Sequence, residues 1–142
     1  MALNVLVVDD SAVMRQMVIK TLGLCGIPLG EVHQAANGQE GLEVLDQTWV
    51  DLVLVDINMP VMNGEEMITR LRDKPELRDL AVIVVSTEGS ATRIEMMQKK
   101  GAGFVHKPFT PEILRDAIVQ TTGASYEQLA GNAALSSDGP DF

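Results

Sequence analysis

Basic residues are in short supply in this chain: 11 Lys and Arg stand against 20 Asp and Glu, for a formal net charge of -9. Such a surface repels a phosphate backbone, so direct nucleic-acid binding is not the expected activity. Cysteine is represented by Cys25 alone, which rules out an intrachain disulfide and fits a reducing cytoplasm. Without a cationic cluster nearby in the sequence, Cys25 reads as a small turn or helix-end residue, not as a reactive thiol. Histidine occurs twice, at His33 and His106, and neither has a Cys or second His at ligand spacing, so structural roles are expected for both. No apolar run approaches the ~20 residues a membrane span requires. Met1 leads directly into Asn4 to Val8 without a basic segment or a cleavage-site pattern, and a soluble cytoplasmic protein is expected.

What is present is an alternation. Apolar runs of four or five residues recur, with amphipathic segments between them, the pattern of βαβ units around a parallel sheet. At 142 residues one domain is expected, burying roughly 68 to 70% of the surface its unfolded chain exposes. Five units can be read. A first helix over Ala12 to Leu22 has Ser11 as N-cap and Val13, Met14, Met17, Val18 and Leu22 on its core face. A short edge strand at Val32 to Ala35 precedes a second helix, capped by Asn37 with Glu40 as its partner and reaching Asp46. The third helix opens from the long loop Asn58 to Gly64 and stops before Lys74-Pro75. The fourth, Ala91 to Lys100, puts Ile94 and Met97 on one face and ends at Gly101; the fifth starts at Thr110-Pro111 and buries Ile113, Leu114, Ala117, Ile118 and Thr121. Residues 1–122 form the domain. The tail, residues 123–142, is rich in Gly, Ala and Ser, which predicts mobility. The helical spacing of Tyr126, Leu129, Ala130, Ala133 and Ala134 supports a short docked helix as the competing reading.

Four of the apolar runs end in chemistry. Asp9-Asp10 follow Val5 to Val8, Asp56 follows Leu52 to Val55, Ser86 follows Ala81 to Val85, and Lys107-Pro108 follow Gly103 to His106. In open α/β sheets ligands bind outside the carboxyl ends of the strands, and right-handed connections bring these groups to one edge. One acidic residue at a strand end is commonly a turn or cap; the recurrence after four strands is not explained that way. Like charges about 4 Å apart repel by about 4 kcal/mol at an effective dielectric near 20, so three carboxylates require a cation among them. A hard divalent ion such as Mg²⁺ suits oxygen ligands, and Lys107 supplies a fixed second charge. A carboxylate so neutralised can act as a nucleophile toward a phosphoryl group, forming an acyl phosphate, with Ser86 as a hydroxyl donor to its oxygens.

At these residues the chain resembles the receiver domain of two-component response regulators, most closely the single-domain, CheY-like chemotaxis type. Val-Leu-Val-Val-Asp-Asp-Ser, Val-Asp-Ile-Asn-Met-Pro-Val-Met-Asn-Gly, Val-Val-Ser-Thr-Glu-Gly and Phe-Val-His-Lys-Pro-Phe stand in the family's order and spacing over Leu3 to Thr122. The resemblance implies a doubly wound five-stranded parallel α/β sheet in the order 2-1-3-4-5 with five helices, flavodoxin-like. It implies Asp56 as phosphoryl acceptor, Mg²⁺ held by Asp9, Asp10, Asp56 and the backbone carbonyl of Asn58, and phosphoryl oxygens held by Ser86 and Lys107. The peptide before Pro108 is commonly cis in the family, a form far less costly there than elsewhere. A histidine kinase would be the donor. Ser86 and Phe104 would form a switch read by a downstream protein at the face of the fourth helix, fifth strand and fifth helix, with Met96 or Met97 exposed beside Phe104. A monomer is expected, with dimerisation on activation as the alternative.

Some positions depart from the common pattern. Thr87 replaces a small alanine, a bulk expected to slow access to Asp56, and Phe104 replaces the frequent tyrosine and so lacks its hydroxyl. Asn58 and Glu88 occupy the two positions that tune self-dephosphorylation in the family, and the pair resembles fast-resetting chemotaxis receivers. Trp49 precedes the Asp56 strand and reads as a fluorescent reporter outside the site. The expected protein is a stand-alone regulator and not an enzyme with turnover. Two rivals are a phosphate-independent pseudo-receiver and a haloacid-dehalogenase-type phosphatase, which needs a second Asp where Asn58 stands.

Overall fold

The computed structural model describes residues 2–87 and 89–122; Glu88 and the tail, with the two readings of it, lie outside the described residues. Five strands, β1 (Leu3–Val8), β2 (Leu29–Ala35), β3 (Leu52–Val55), β4 (Ala81–Ser86) and β5 (Gly103–His106), form one parallel sheet in the expected order β2-β1-β3-β4-β5. The helices between and after them are α1 (Ala12–Leu24), α2 (Gly38–Gln47), α3 (Gly64–Arg72), α4 (Ala91–Lys99) and α5 (Pro111–Thr122). No helix among the described residues is long and apolar enough to cross a membrane.

The strands are apolar on consecutive positions because both faces are covered. Val5, Val7, Leu54, Ile83 and Val105 face α1 and α5, packing with Val18, Leu22, Leu114 and Ile118. Leu6, Val8, Val53, Val55 and Val84 face the other layer, where Leu42, Met67, Ile68, Leu71 and Met97 of α2, α3 and α4 close over them. Full burial of each such side chain is worth about 1.5–3 kcal/mol. β2, at the edge, is only partly buried, and it begins at Leu29, three residues before the expected start.

The helix starts follow the sequence signals. Ser11 accepts from the Met14 amide at 3.2 Å and Thr110 from that of Ile113 at 3.2 Å. Asn37 accepts from the Glu40 amide at 2.9 Å while the Glu40 carboxylate accepts from the Ala36 amide at 3.0 Å. Gly101, at φ +82°, ends α4 in the left-handed conformation that glycine adopts without strain.

Helix faces correct the expected core. Val13 is 73% exposed, Met17 56% and Ile113 51%, whereas all three were assigned to buried stripes. Met17 and Ile113 each lie about 100° around their helix from a buried neighbour, Val18 or Leu114, and a helix lying on a sheet buries a narrower arc than the run of apolar residues suggests. After α3 a 3-10 turn at Pro75–Leu77, not read from sequence, carries the chain toward β4. Arg72 closes this corner, donating to the carbonyls of Leu77, Arg78, Leu80 and Lys100. Its burial pushes the guanidinium pKa down, with Asp79 acting in the opposite direction.

Candidate functional site

Strand register levels the four polar ends. Val8 pairs with Val55, Val55 with Val84, and Val84 with Phe104. The backbone ladder then continues past the strands: Asp9 donates to Ala35 at 3.1 Å, Asp56 to Val8 at 3.0 Å, and Lys107 to Ser86 at 2.9 Å. The side chains that follow are therefore positioned by sheet hydrogen bonds, not by free loops.

One carboxylate oxygen from each of Asp9, Asp10 and Asp56 falls within a 4.8 Å cluster. Asp9 is buried, Asp56 half-buried and Asp10 exposed. Asp9 Oδ1 accepts from the Ser11 amide at 2.9 Å, and Asp56 Oδ1 from the Ile57 amide at 2.7 Å. Lys107 Nζ stands 3.3 Å from Asp9 Oδ2 and 3.7 Å from Asp56 Oδ2. One ammonium among three carboxylates leaves the cluster anionic, which favours a further cation. An all-oxygen donor set with one exposed edge fits Mg²⁺, which keeps several waters and takes few protein ligands.

The other expected residues are placed as follows. Ser86 is fully buried at the end of β4, across from His106 on β5. Asn58 is exposed in the loop after β3, and Thr87 is exposed after β4. Phe104 is half-buried against the cluster containing Met97, and its ring lies 6.2 Å from that of His106. Met96 is 46% exposed while Met97 is buried, which separates the two methionines. The Lys107-Pro108 peptide is cis. Glu88 lies outside the described residues. His33 contacts Glu31 at 3.1 Å, and neither belongs to the carboxylate cluster of Asp9, Asp10 and Asp56. Trp49 is exposed and donates to Asp51 at 2.9 Å. Cys25 is buried as the C-cap of α1, its thiol directed at the carbonyls of Thr21 and Pro111.

Three positions were missed from sequence. Arg15 Nη1 donates to the Asp9 carbonyl at 2.6 Å and Nε to Gln34 at 2.9 Å, tying α1 to the ends of β1 and β2. A cation in the second turn of a helix opposes the macrodipole, and that was the available signal. Gly64 donates to Ile57 at 2.9 Å, and a methyl at its Cα would strike the carbonyl of Asp56; Asn63 before it caps α3 by accepting from Glu66 at 2.8 Å. Val61 adopts φ +67° in a γ-turn closed by the Met62 amide on Pro60 at 2.7 Å. Exposed Met17 also joins Met14, Thr21, Thr87, Lys107 and Phe109 in lining an open apolar cleft of about 260 Å³ beside the carboxylates.

Comparison with known proteins places this geometry among relatives. The family model described as the response regulator receiver domain matches residues 5–119. The chain is 33% identical over 125 residues to the chemotaxis protein CheY1 of Helicobacter pylori, covering 87% of this chain and 99% of that one. It is 33% identical over 123 residues to a chemotaxis protein CheY homolog of Campylobacter jejuni, covering 85% and 93%. The structure of chemotaxis response regulator CheY4 of Vibrio cholerae superposes with a TM-score of 0.74 at 34% identity, covering 85% of this chain and 99% of that one.

Proposed function

The chain belongs to the response regulator receiver family, and from that premise we propose that it accepts a phosphoryl group from a histidine kinase on Asp56 and thereby changes its binding to a downstream protein. The observation that carries this reading is the Asp9, Asp10 and Asp56 cluster with Lys107 beside it.

Asp56 Oδ1 is engaged by the Ile57 amide, and Oδ2 faces Lys107. On this reading Oδ2 attacks phosphorus. The O–P bond forms as the P–N bond of a phosphohistidine breaks, and the bonding pair leaves with the imidazole nitrogen, which takes up a proton. Lys107 would meet the oxygens of the transferring group, and the Ser86 hydroxyl would turn toward them. Mg²⁺ held by Asp9, Asp10, Asp56 and the carbonyl of Asn58 would supply the charge that neutralises both the carboxylates and the incoming phosphoryl oxygens. Arg15 and the Ser11 amide hold Asp9 in place throughout. The acyl phosphate is then lost to water, at a rate set by Asn58, Thr87 and Glu88, and a short-lived state is expected.

Output runs through Ser86 and Phe104 to the surface of α4, β5 and α5, where exposed Met96 offers an apolar contact. A covalent charge biasing a two-state element is sufficient for such a switch; about 5.5 kcal/mol moves 1:99 to 99:1. Relatives of nearly the same length bear chemotaxis names, which supports a chemotaxis setting and output by protein contact. The reaction is one phosphoryl group per chain, not turnover. A haloacid-dehalogenase-type phosphatase is disfavoured because Asn58 stands where its acid/base Asp is needed, and a pseudo-receiver because the acidic trio and lysine are complete.

The test is intact mass after exposure to a small acyl phosphate, with Mg²⁺, with chelator, and in Asp56→Asn. One Mg²⁺-dependent phosphoryl adduct that vanishes in the variant is expected. No adduct under rapid sampling and no binding of beryllofluoride would assign the chain to the phosphate-independent class.

A further inference from the structure

At the opposite end of the sheet from the carboxylates, four cations gather around one cleft. Arg72 from α3, Arg78 from the turn after it, and Lys99 and Lys100 at the end of α4 line a cavity of about 450 Å³, with Asp79 as its single acidic residue and Thr121 of α5 at its rim. In a chain with only 11 basic residues and a net charge of -9, this is a local reversal of sign. Two of the cations are engaged: Arg72 with backbone carbonyls, and Lys100 with the Thr69 hydroxyl at 2.7 Å. The side chains of Arg78 and Lys99 form no hydrogen bond or ion pair among the described residues, and both are exposed. A second hollow of about 290 Å³ adjoins the first through Gly101 and Thr121, running between the ends of α4 and α5.

The chain itself supplies an occupant. α5 ends at Thr122, one residue past the cleft's rim. The twenty residues that follow carry Glu127, Asp138 and Asp141 and no Lys, Arg or His. Asp138 lies sixteen positions beyond Thr122, a reach of up to ~50 Å at about 3.3 Å per residue, so the span is not limiting. A tether of this length gives the segment an effective concentration of order mM, which lowers the affinity the contact must supply.

We propose that residues 138–141 of the same chain seat in the Arg78–Lys99 cleft, with Asp138 and Asp141 facing these two cations. Such a seat covers the ends of α4 and α5 and does not depend on phosphoryl chemistry at Asp56.

The test uses the full chain with a nitroxide on Ser137→Cys, Cys25 being buried, and the parent chain treated with the same reagent as control. Amide signals of Arg78 to Leu80 and Lys99 to Gly101 should lose intensity several-fold more than those of α2. The preference should vanish in Asp138→Asn/Asp141→Asn, in Arg78→Ala/Lys99→Ala, and at high salt, where exposed charges are screened. Uniform broadening, broadening centred on the Met17 and Phe109 cleft, persistence in both charge variants, or disappearance on dilution, which would mean a second copy's tail, would each overturn the proposal.

Discussion

Lys107 Nζ lies 3.3 Å from Oδ2 of Asp9, a residue 98 positions earlier in the chain and itself buried. The pair joins the first and last strands of the βαβ series at the site, and it gives the acidic cluster an internal counter-ion. Removing one partner of a buried pair leaves the other charge uncompensated, at a cost of about 3 kcal/mol. Lys107→Met is therefore expected to lose about that much stability in chelator, and Mg²⁺ should restore more of it than it adds to the parent chain. Urea unfolding with and without Mg²⁺ reads both terms; equal midpoints in chelator would show that the pair contributes nothing.

Gly64 touches the carbonyl of Asp56 so closely that no Cβ fits. Gly64→Ala must push the Asp56 end of β3 or the start of α3 aside, at about 1–3 kcal/mol. Lower stability together with weaker Mg²⁺ binding, followed by calorimetry, is the expected result. Wild-type values in both would show that the loop yields without cost.

Val61, 81% exposed, holds a left-handed φ of 67° that a β-branched residue adopts at a penalty. Relief of about 1–2 kcal/mol outweighs the chain-entropy cost of glycine, about 0.5–1 kcal/mol. Val61→Gly should thus raise the unfolding free energy by about 0.5–1 kcal/mol. A decrease would mean that Val61 makes contacts worth more than its strain.

Met17, expected in the core and found 56% exposed, lines the apolar cleft that Lys107 and Phe109 share. Met17→Glu should change stability by less than about 0.5 kcal/mol and leave phosphorylation by a small acyl phosphate intact. If the donor of the proposed reaction docks over this cleft, transfer from a histidine kinase should slow several-fold. Parallel slowing with both donors would place the effect inside the site and not at its mouth.

Burial raises the Cys25 thiol above its ordinary value of 9.0, with Arg115 pulling it partly back. A folded-state pKa above the unfolded one contributes stability that is complete below the unfolded pKa and is lost as pH rises through the folded one. The stability of the parent chain relative to Cys25→Ser should accordingly be constant at neutral pH and shrink above about pH 9. Thermal midpoints of the two proteins across pH 7 to about 11 measure the gap, and a gap that widens with pH would reverse the sign.

Much of the fold was legible because strands and caps are local. Asp9-Asp10, Asp56, Ser86 and Lys107 each stand at the end of an apolar run, and parallel connections bring such ends to one edge. Ser11, Asn37 and Thr110 are caps recognisable from residue type and position alone. The apolar arcs of α1 and α5 were read too widely, since periodicity shows which residues could face the sheet but not how much of the helix the sheet covers.

The sequence by itself determined the layered fold, the strand-end chemistry and the helix starts, because these depend on residue type at short spacing and on the handedness of βαβ connections. Only the tertiary structure decided that Arg15 grips the carbonyl of Asp9, that Gly64 lies against Asp56, that Met17 and Ile113 face outward, and that Arg72, Arg78, Lys99 and Lys100 share a cleft. Each is a meeting of groups from separate elements, and whether such groups meet depends on register and packing at the scale of an ångström, which no local pattern encodes.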